Sequence, residues 1–235
     1  MAIFVGVTDL NCDMGELEDA GYEAALMEYV TSASIACGGH TGDETSMERT
    51  TRLALQRGVR IGAHPSYPDR ANFGRVEMTM PPAEIEAAVR GQMERLERVV
   101  AGLGGRIVHV KPHGALYNVA ARSGEVARAI GAAVAGWKAE AVIFGLAGSA
   151  ALEIWREMGL EVAAEAFADR RYEADGSLRS RKLPDALITD PHEAARQAVR
   201  LARERQVQTI CVHSDTPNAL EILKACRQAL GGNGK

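Results

Sequence analysis

The chain has 235 residues, of which 46% are hydrophobic and 25% charged, with a formal net charge of -4. That balance describes an ordinary globular protein and excludes the basic footprint of a nucleic-acid or anionic-membrane binder. No apolar run reaches the length of a transmembrane helix, and the N-terminal MAIFVGV has no basic region or cleavage site, so it reads as a first strand rather than a signal peptide.

In chain order, strand-type apolar runs lie near 3–11, 32–37, 59–63, 106–111, 141–146, 161–167 and 207–213. Helix-period segments separate most of them. Over 82–103, Ile85, Val89, Met93, Leu96 and Val100 recur every three or four residues after Pro82, with Glu86 and Arg90 paired one turn apart. A second helix opens at Asp190-Pro191 with Glu193 in its first turn, and a last one opens at Thr216-Pro217. Alternating strands and helices predict a parallel sheet, and no linker or repeat divides residues 1–235, so one domain is expected. Seven strands fit an irregular, TIM-like (β/α) barrel better than an open sheet. The GGNGK tail is expected to fray.

The polar residues gather at the strand ends. The first strand ends in DLNCDMGE, the second in ACGGHTGD, the third in GAHPSYPD, the fourth in HVKPHGALYN, the sixth in EAFADRRY and the last in CVHSDTPN. Loops after strand carboxyl ends build the active sites of parallel α/β folds, so six such endings predict one crowded polar mouth. Alternation along each strand puts Asp9, Asn11 and Asp13 on one face, Arg60, Gly62 and His64 on another, then His109 and Lys111, then Cys211 and His213. A buried Lys111 needs a carboxylate partner, a substrate anion or a depressed pKa. His109, deeper in its strand, reads as a hydrogen-bonded core histidine, and His192 as a surface residue. Asp169-Arg170-Arg171 reads equally well as a salt-bridged loop, and Asp175-Gly176 as a turn.

The four cysteines, at 12, 37, 211 and 226, form no CxxC pair and are expected to be reduced and buried. There is no GxSxG, GxGxxG or GxxxxGK[ST], and no HExxH or HxH. Spacing alone therefore assigns neither a nucleotide site nor a metal, although an Asp with two His suits hard-metal chemistry.

The segments DLNCDMGE, ASIACGGHTGD, IGAHPSYPDRANFGR, VKPHGALYN, EAFADRRYEADGSLRSR and CVHSDTPNA, in that order and across nearly the whole chain, resemble the LamB/YcsF family. The resemblance implies an irregular seven-stranded barrel of the glycoside hydrolase/deacetylase type, in agreement with the strand count. It also implies the A-component role in an ATP-dependent 5-oxoprolinase, opening 5-oxo-L-proline to L-glutamate in the cytoplasm with partner subunits B and C. ATP would be handled with those partners, and a divalent metal is a further expectation, with Asp13, His40 and His64 as its candidate ligands.

On this basis Asp13, His40, His64 and His113 are expected around the reacting carbonyl as a base or metal cluster. Lys111 would hold a substrate carboxylate or an oxyanion, and Glu165 is a reserve base. Asn11, Asp169, Arg170, His213 and Asp215 would complete the mouth, with Arg170 a carboxylate or phosphate clamp. The alternatives are a stand-alone metal-dependent deacetylase or amidohydrolase, and a non-catalytic lactam- or sugar-binding subunit. The family usually reads ACGFHAGD where this chain has Gly39 and Thr41, Asn where it has Ser34, and HGD where it has HSD at 213–215. The missing aromatic at Gly39 predicts a more open pocket wall.

Overall fold

The computed structural model describes residues 8–204 and 207–231. Seven parallel strands, β1 (Asp9–Met14), β2 (Ser32–Ala36), β3 (Arg60–His64), β4 (Ile107–Val110), β5 (Val142–Leu146), β6 (Val162–Phe167) and β7 (Thr209–Cys211), close into a barrel in sequence order. β7 returns to β1 with Asp9 opposite Thr209 and Asn11 opposite Cys211. Among the described residues eight α-helices flank it: α1 (Ala20–Met27), α2 (Glu44–Arg57), α3 (Pro82–Gly102), α4 (Gly114–Ala120), α5 (Gly124–Lys138), α6 (Ala150–Glu157), α7 (Pro191–Glu204) and α8 (Ala219–Ala229). Residues 3–7 of the expected first strand and 232–235 of the expected frayed tail lie outside the described residues.

α3 and α7 form where the pattern places them, and α8 begins at Ala219, just past the expected opening at Thr216-Pro217. Asp190 caps α7 by accepting from the Glu193 backbone N–H at 2.7 Å. α3 buries Ile85, Val89, Met93, Leu96 and Val100 against the barrel, and Glu86 pairs with Arg90 on its outer side. The four cysteines are free and buried. Burial pushes the Cys37 thiol up to about 12, as suits a packing residue rather than a nucleophile.

Alternation along the strands fills the barrel interior with polar groups, an arrangement tolerable only if each is bonded. At its lower end the Asp9 carboxylate accepts from Ser32 and Thr209 at 2.6 Å each and pairs with Arg60 at 2.6 Å. Above it His109 bonds Ser34 at 3.2 Å and stacks on Phe144 with 4.3 Å between ring centres. Gly62 makes room for that ring, since a Cβ there would lie 2.0 Å from His109 Nε2. His109 is thus a core residue, and burial depresses its pKa to about 3.

Candidate active site

The upper end of the barrel carries a cavity of about 350 Å³. Asp13, His64, Lys111, His113, Phe167, Arg170 and His213 line it together, so the residues from β1, β3, β4, β6 and β7 do meet at one mouth.

Lys111 forms the floor. Its ammonium is 2.8 Å from Asp13 Oδ1, 3.0 Å from Glu165 Oε1 and 3.2 Å from Asn11 Oδ1, and it also touches Cys211 Sγ. Burial alone would strip its proton, but the two carboxylates outweigh that and hold its pKa well above the usual lysine range. Burial likewise pushes Asp13 up, and the charges of His64 and Lys111 reverse the direction, keeping it ionised. Asn11 sits beneath, donating to Glu165 at 2.9 Å and to Thr209 at 2.6 Å. It supports the floor rather than lining the cavity, which corrects its expected place among substrate contacts. Glu165 is fully buried beneath Lys111 and serves as counter-charge; Oε2 finds no partner among the described residues.

A second group occupies one wall. His64 Nε2 and His113 Nδ1 face each other at 2.9 Å, and both lie near Glu16 Oε1, at 3.7 and 3.6 Å. His40 Nε2 bonds the same oxygen at 2.8 Å while its ring stacks on His113. The four are three buried histidines and one half-buried glutamate whose donor atoms all lie within 4.8 Å of one another. Burial lowers the pKa of His40, partly offset by Glu16, and lowers that of His113, where the neighbouring histidines add to it. For His64 the pull of Asp13 and Glu16 exceeds burial and raises it. Glu16 escaped the sequence reading because it lies beyond β1. Gly15, at φ +75, turns the chain so that Glu16 folds back over the histidines. Asp13 Oδ2 lies 3.4 Å from His64 Nε2, yet the donor atoms that converge within 4.8 Å belong to Glu16, His40, His64 and His113, so the expected trio of Asp13, His40 and His64 does not gather as one set.

The third group is a histidine–carboxylate pair. Asp169 accepts from His213 Nδ1 and from the His213 backbone N–H, both at 3.0 Å, and from Thr216 Oγ1 at 2.5 Å. Burial pushes the Asp169 carboxyl up, but the His213 charge and these hydrogen bonds prevail and bring it down to about 2. Because His213 Nδ1–H donates to Asp169, Nε2 is the nitrogen left to accept a proton.

The rim is cationic. Arg170 is almost fully buried, with Nη2 donating to the Arg179 carbonyl at 2.6 Å and Nε unpartnered among the described residues. Burial and the nearby Arg181 lower its pKa to about 10, which leaves it charged at neutral pH. Asp215 is paired with Arg75 and, at 3.3 Å, with Arg181. It braces the two rim arginines instead of lining the cavity, a correction to its expected substrate role. Arg171 pairs with Glu193 at 2.8 Å, the salt-bridged reading of that loop, and Asp175 bonds Ser177 in a turn.

Gly39 also departs from expectation. A Cβ there would meet Gln92 Oε1 at 2.2 Å and Ser66 Oγ at 2.4 Å. Gln92, from the buried face of α3, bonds both the Ser66 N–H at 3.0 Å and its carbonyl at 2.8 Å. The space left by the missing aromatic is filled from α3 rather than opened to the cavity.

A sequence profile of the LamB/YcsF family matches residues 8–235. The chain belongs to the LamB/YcsF family. Among its LamB/YcsF relatives, the protein of Chloroflexus aggregans named as the A component of 5-oxoprolinase is 48% identical over 96% of each chain, and its namesake in Bordetella parapertussis 46% over 96% of each. The crystal structure of the lactam utilization protein of Thermus thermophilus superposes with a TM-score of 0.88 at 38% identity, covering 96% of both chains. A protein of Enterococcus faecalis V583, 12% identical with a TM-score of 0.57, shares the fold alone.

Proposed function

We propose that the chain is the A component of an ATP-dependent 5-oxoprolinase, which opens 5-oxo-L-proline to L-glutamate with partner subunits B and C and hydrolyses ATP to ADP and phosphate. The observation that carries this reading is a cavity whose rim is built of arginines, with His213 held by Asp169 beside them. Such a cavity selects a small anion with a carbonyl to be polarised, and kinship with proteins named as 5-oxoprolinase components supplies the lactam.

A five-membered lactam is a resonance-stabilised amide, so its carbon resists water until the oxygen is made a leaving group. Phosphorylation of that oxygen by ATP, assigned to the partners, supplies this. Arg170 then holds the substrate carboxylate or the new phosphate. His213, held by Asp169, takes a proton from the attacking water, and Lys111 holds Asp13 ionised and in place beneath the reacting centre. Returning the proton from His213 to the ring nitrogen lets the C–N bond break in preference to loss of phosphate. The resulting acyl phosphate yields glutamate and phosphate with a second water.

The test mixes the chain with candidate B and C subunits and measures glutamate release from 5-oxoproline with and without ATP. Release only in the complete mixture supports the reading. Turnover by the chain alone, without ATP, would favour a stand-alone amidohydrolase, and activity of partners with an Asp13→Asn, Lys111→Met chain on saturating substrate would favour a binding role. Assembly with ATP-using partners implies the cytoplasm, and among the described residues no helix is long and apolar enough to cross a membrane.

A further inference from the structure

The two histidines that face each other on the cavity wall have their outer nitrogens fixed as donors. His64 Nδ1 lies 2.6 Å from the Lys111 carbonyl oxygen and His113 Nε2 lies 3.0 Å from the Phe73 carbonyl oxygen. A carbonyl can only accept, so each of these outer nitrogens carries its proton. The inner nitrogens, His64 Nε2 and His113 Nδ1, then face each other at 2.9 Å with room between them for a single proton or metal ion, and Asp13 Oδ2 lies 3.4 Å from His64 Nε2. Two buried acceptors at that separation repel unless a cation stands between them. The carboxylate oxygen of Glu16, 3.6 to 3.7 Å from both, supplies negative charge on the same side.

We propose that His64 Nε2, His113 Nδ1 and Glu16 hold one divalent transition-metal ion, with zinc the best match to two imidazoles and a carboxylate. Ligands at about 2.0–2.1 Å from tetrahedral zinc stand about 3.3 Å apart. The three separations here, 2.9, 3.6 and 3.7 Å, bracket that edge. Outer N–H groups bonded to backbone carbonyls are the support that metal-bound histidines ordinarily have. His40 is assigned a positioning role: its ring is parallel to His113 within 5° at 3.7 Å, so the two cannot share an ion lying in both ring planes. It instead donates to Glu16 at 2.8 Å and aims that carboxylate.

Three protein ligands leave a position open, and His64 and His113 both line the cavity, so that position faces the substrate space. An ion there would supply Lewis-acid polarisation of a carbonyl or phosphoryl oxygen. The assignment rests on this wall and not on the lactam-opening reading, and its test needs neither ATP nor partners.

The purified full chain is stripped with chelator, incubated with zinc, desalted, and analysed for bound metal; cobalt replaces zinc for absorption spectroscopy. One equivalent of zinc and an intense, low-symmetry cobalt spectrum are expected. Glu16→Gln and His113→Gln should each weaken zinc by more than about 100-fold, His40→Gln by about 10–100-fold, and the surface variant His192→Gln not at all. Circular dichroism shows whether each variant is folded. Wild-type protein that retains no zinc above the blank, or that gives only the pale spectrum of hexaaquo cobalt, overturns the proposal in favour of a proton shared between His64 and His113. Wild-type affinity in both folded Glu16→Gln and His113→Gln overturns it equally.

Discussion

The Lys111 ammonium lies 2.8 Å from the Asp13 carboxylate, and both side chains are almost completely buried at the head of β1 and β4. A buried ion pair does not by itself add stability, but removing one member leaves the other charge without compensation. Here Lys111 also neutralises Glu165, so one substitution would leave Glu165 without a cation and Asp13 with His64 alone. Lys111→Met is therefore expected to cost about 3–5 kcal/mol in urea unfolding and to lower kcat of the reconstituted enzyme by about 10²–10³. Lys111→Arg should not restore activity, because a planar fork cannot replace a compact ammonium between Asn11, Asp13 and Glu165. Full activity in Lys111→Met at a temperature where it is folded would remove Lys111 from the mechanism.

The Asp169–His213 pair gives a second expectation, with a defined sign. The Asp169 pKa is about 2 in the folded chain, against an ordinary value of 3.8. A depressed carboxylate contributes stability above its unfolded pKa and loses it as pH falls from about 4 to 2, here on the order of 2 kcal/mol. Asp169→Asn should accordingly lower the urea midpoint at pH 7 and differ far less from wild type near pH 2. It should also reduce kcat by about 10²–10⁴, with KM much less affected, since the imidazole loses its orienting partner. Equal effects on stability at both pH values would show that the pair is not ionised as described.

Much of this site was legible because strands impose a period of two. Asp13, His64, Lys111 and His213 could be assigned to one mouth from alternation and from the polar endings of their strands. Glu16, Arg75, Arg181 and Gln92 were not, for distinct reasons. Glu16 depends on a left-handed turn at Gly15, and Arg75 and Arg181 arrive on irregular loops whose path no period encodes. Gln92 did leave a signal: it is a polar residue on the buried face of α3, three positions after Val89 and next to Met93. Alternation gives the face of Asn11 but not its depth, and a polar strand ending gives the place of Asp215 but not its partners. One lies below the floor and the other is tied up by arginines.

Gly39 offers a test of packing compensation. Since a Cβ there would press on Gln92 and Ser66, Gly39→Ala is expected to destabilise by about 1–3 kcal/mol through overpacking. Gln92→Ala combined with it should recover part of that loss, giving a coupling energy of about 0.5 kcal/mol or more in a double-mutant cycle. KM for the lactam should change little in Gly39→Ala, because the residue contacts α3 and not the cavity. Strict additivity of the two changes would mean that Gln92 does not fill the glycine's space.

The final expectation concerns His109, neutral in the barrel core. Its pKa is about 3 when folded, against 6.5 ordinarily, chiefly because burial penalises the cation, with Asp9 opposing and Arg60 and Lys111 assisting. Between those two values the unfolded chain binds a proton at this position that the folded chain does not. Stability from this group is therefore full above about pH 6.5 and declines as the pH falls toward 3, by about 1.4 kcal/mol per unit within that window. His109→Gln retains a polar contact for Ser34 but cannot titrate, so its stability curve should be flatter than wild type from pH 6 to 4, whatever its offset at pH 7. Urea midpoints at several pH values measure the slope directly. Parallel curves for the two proteins would mean that His109 is protonated in the folded barrel, and would require a counter-charge beside it that Ser34 and Phe144 do not provide.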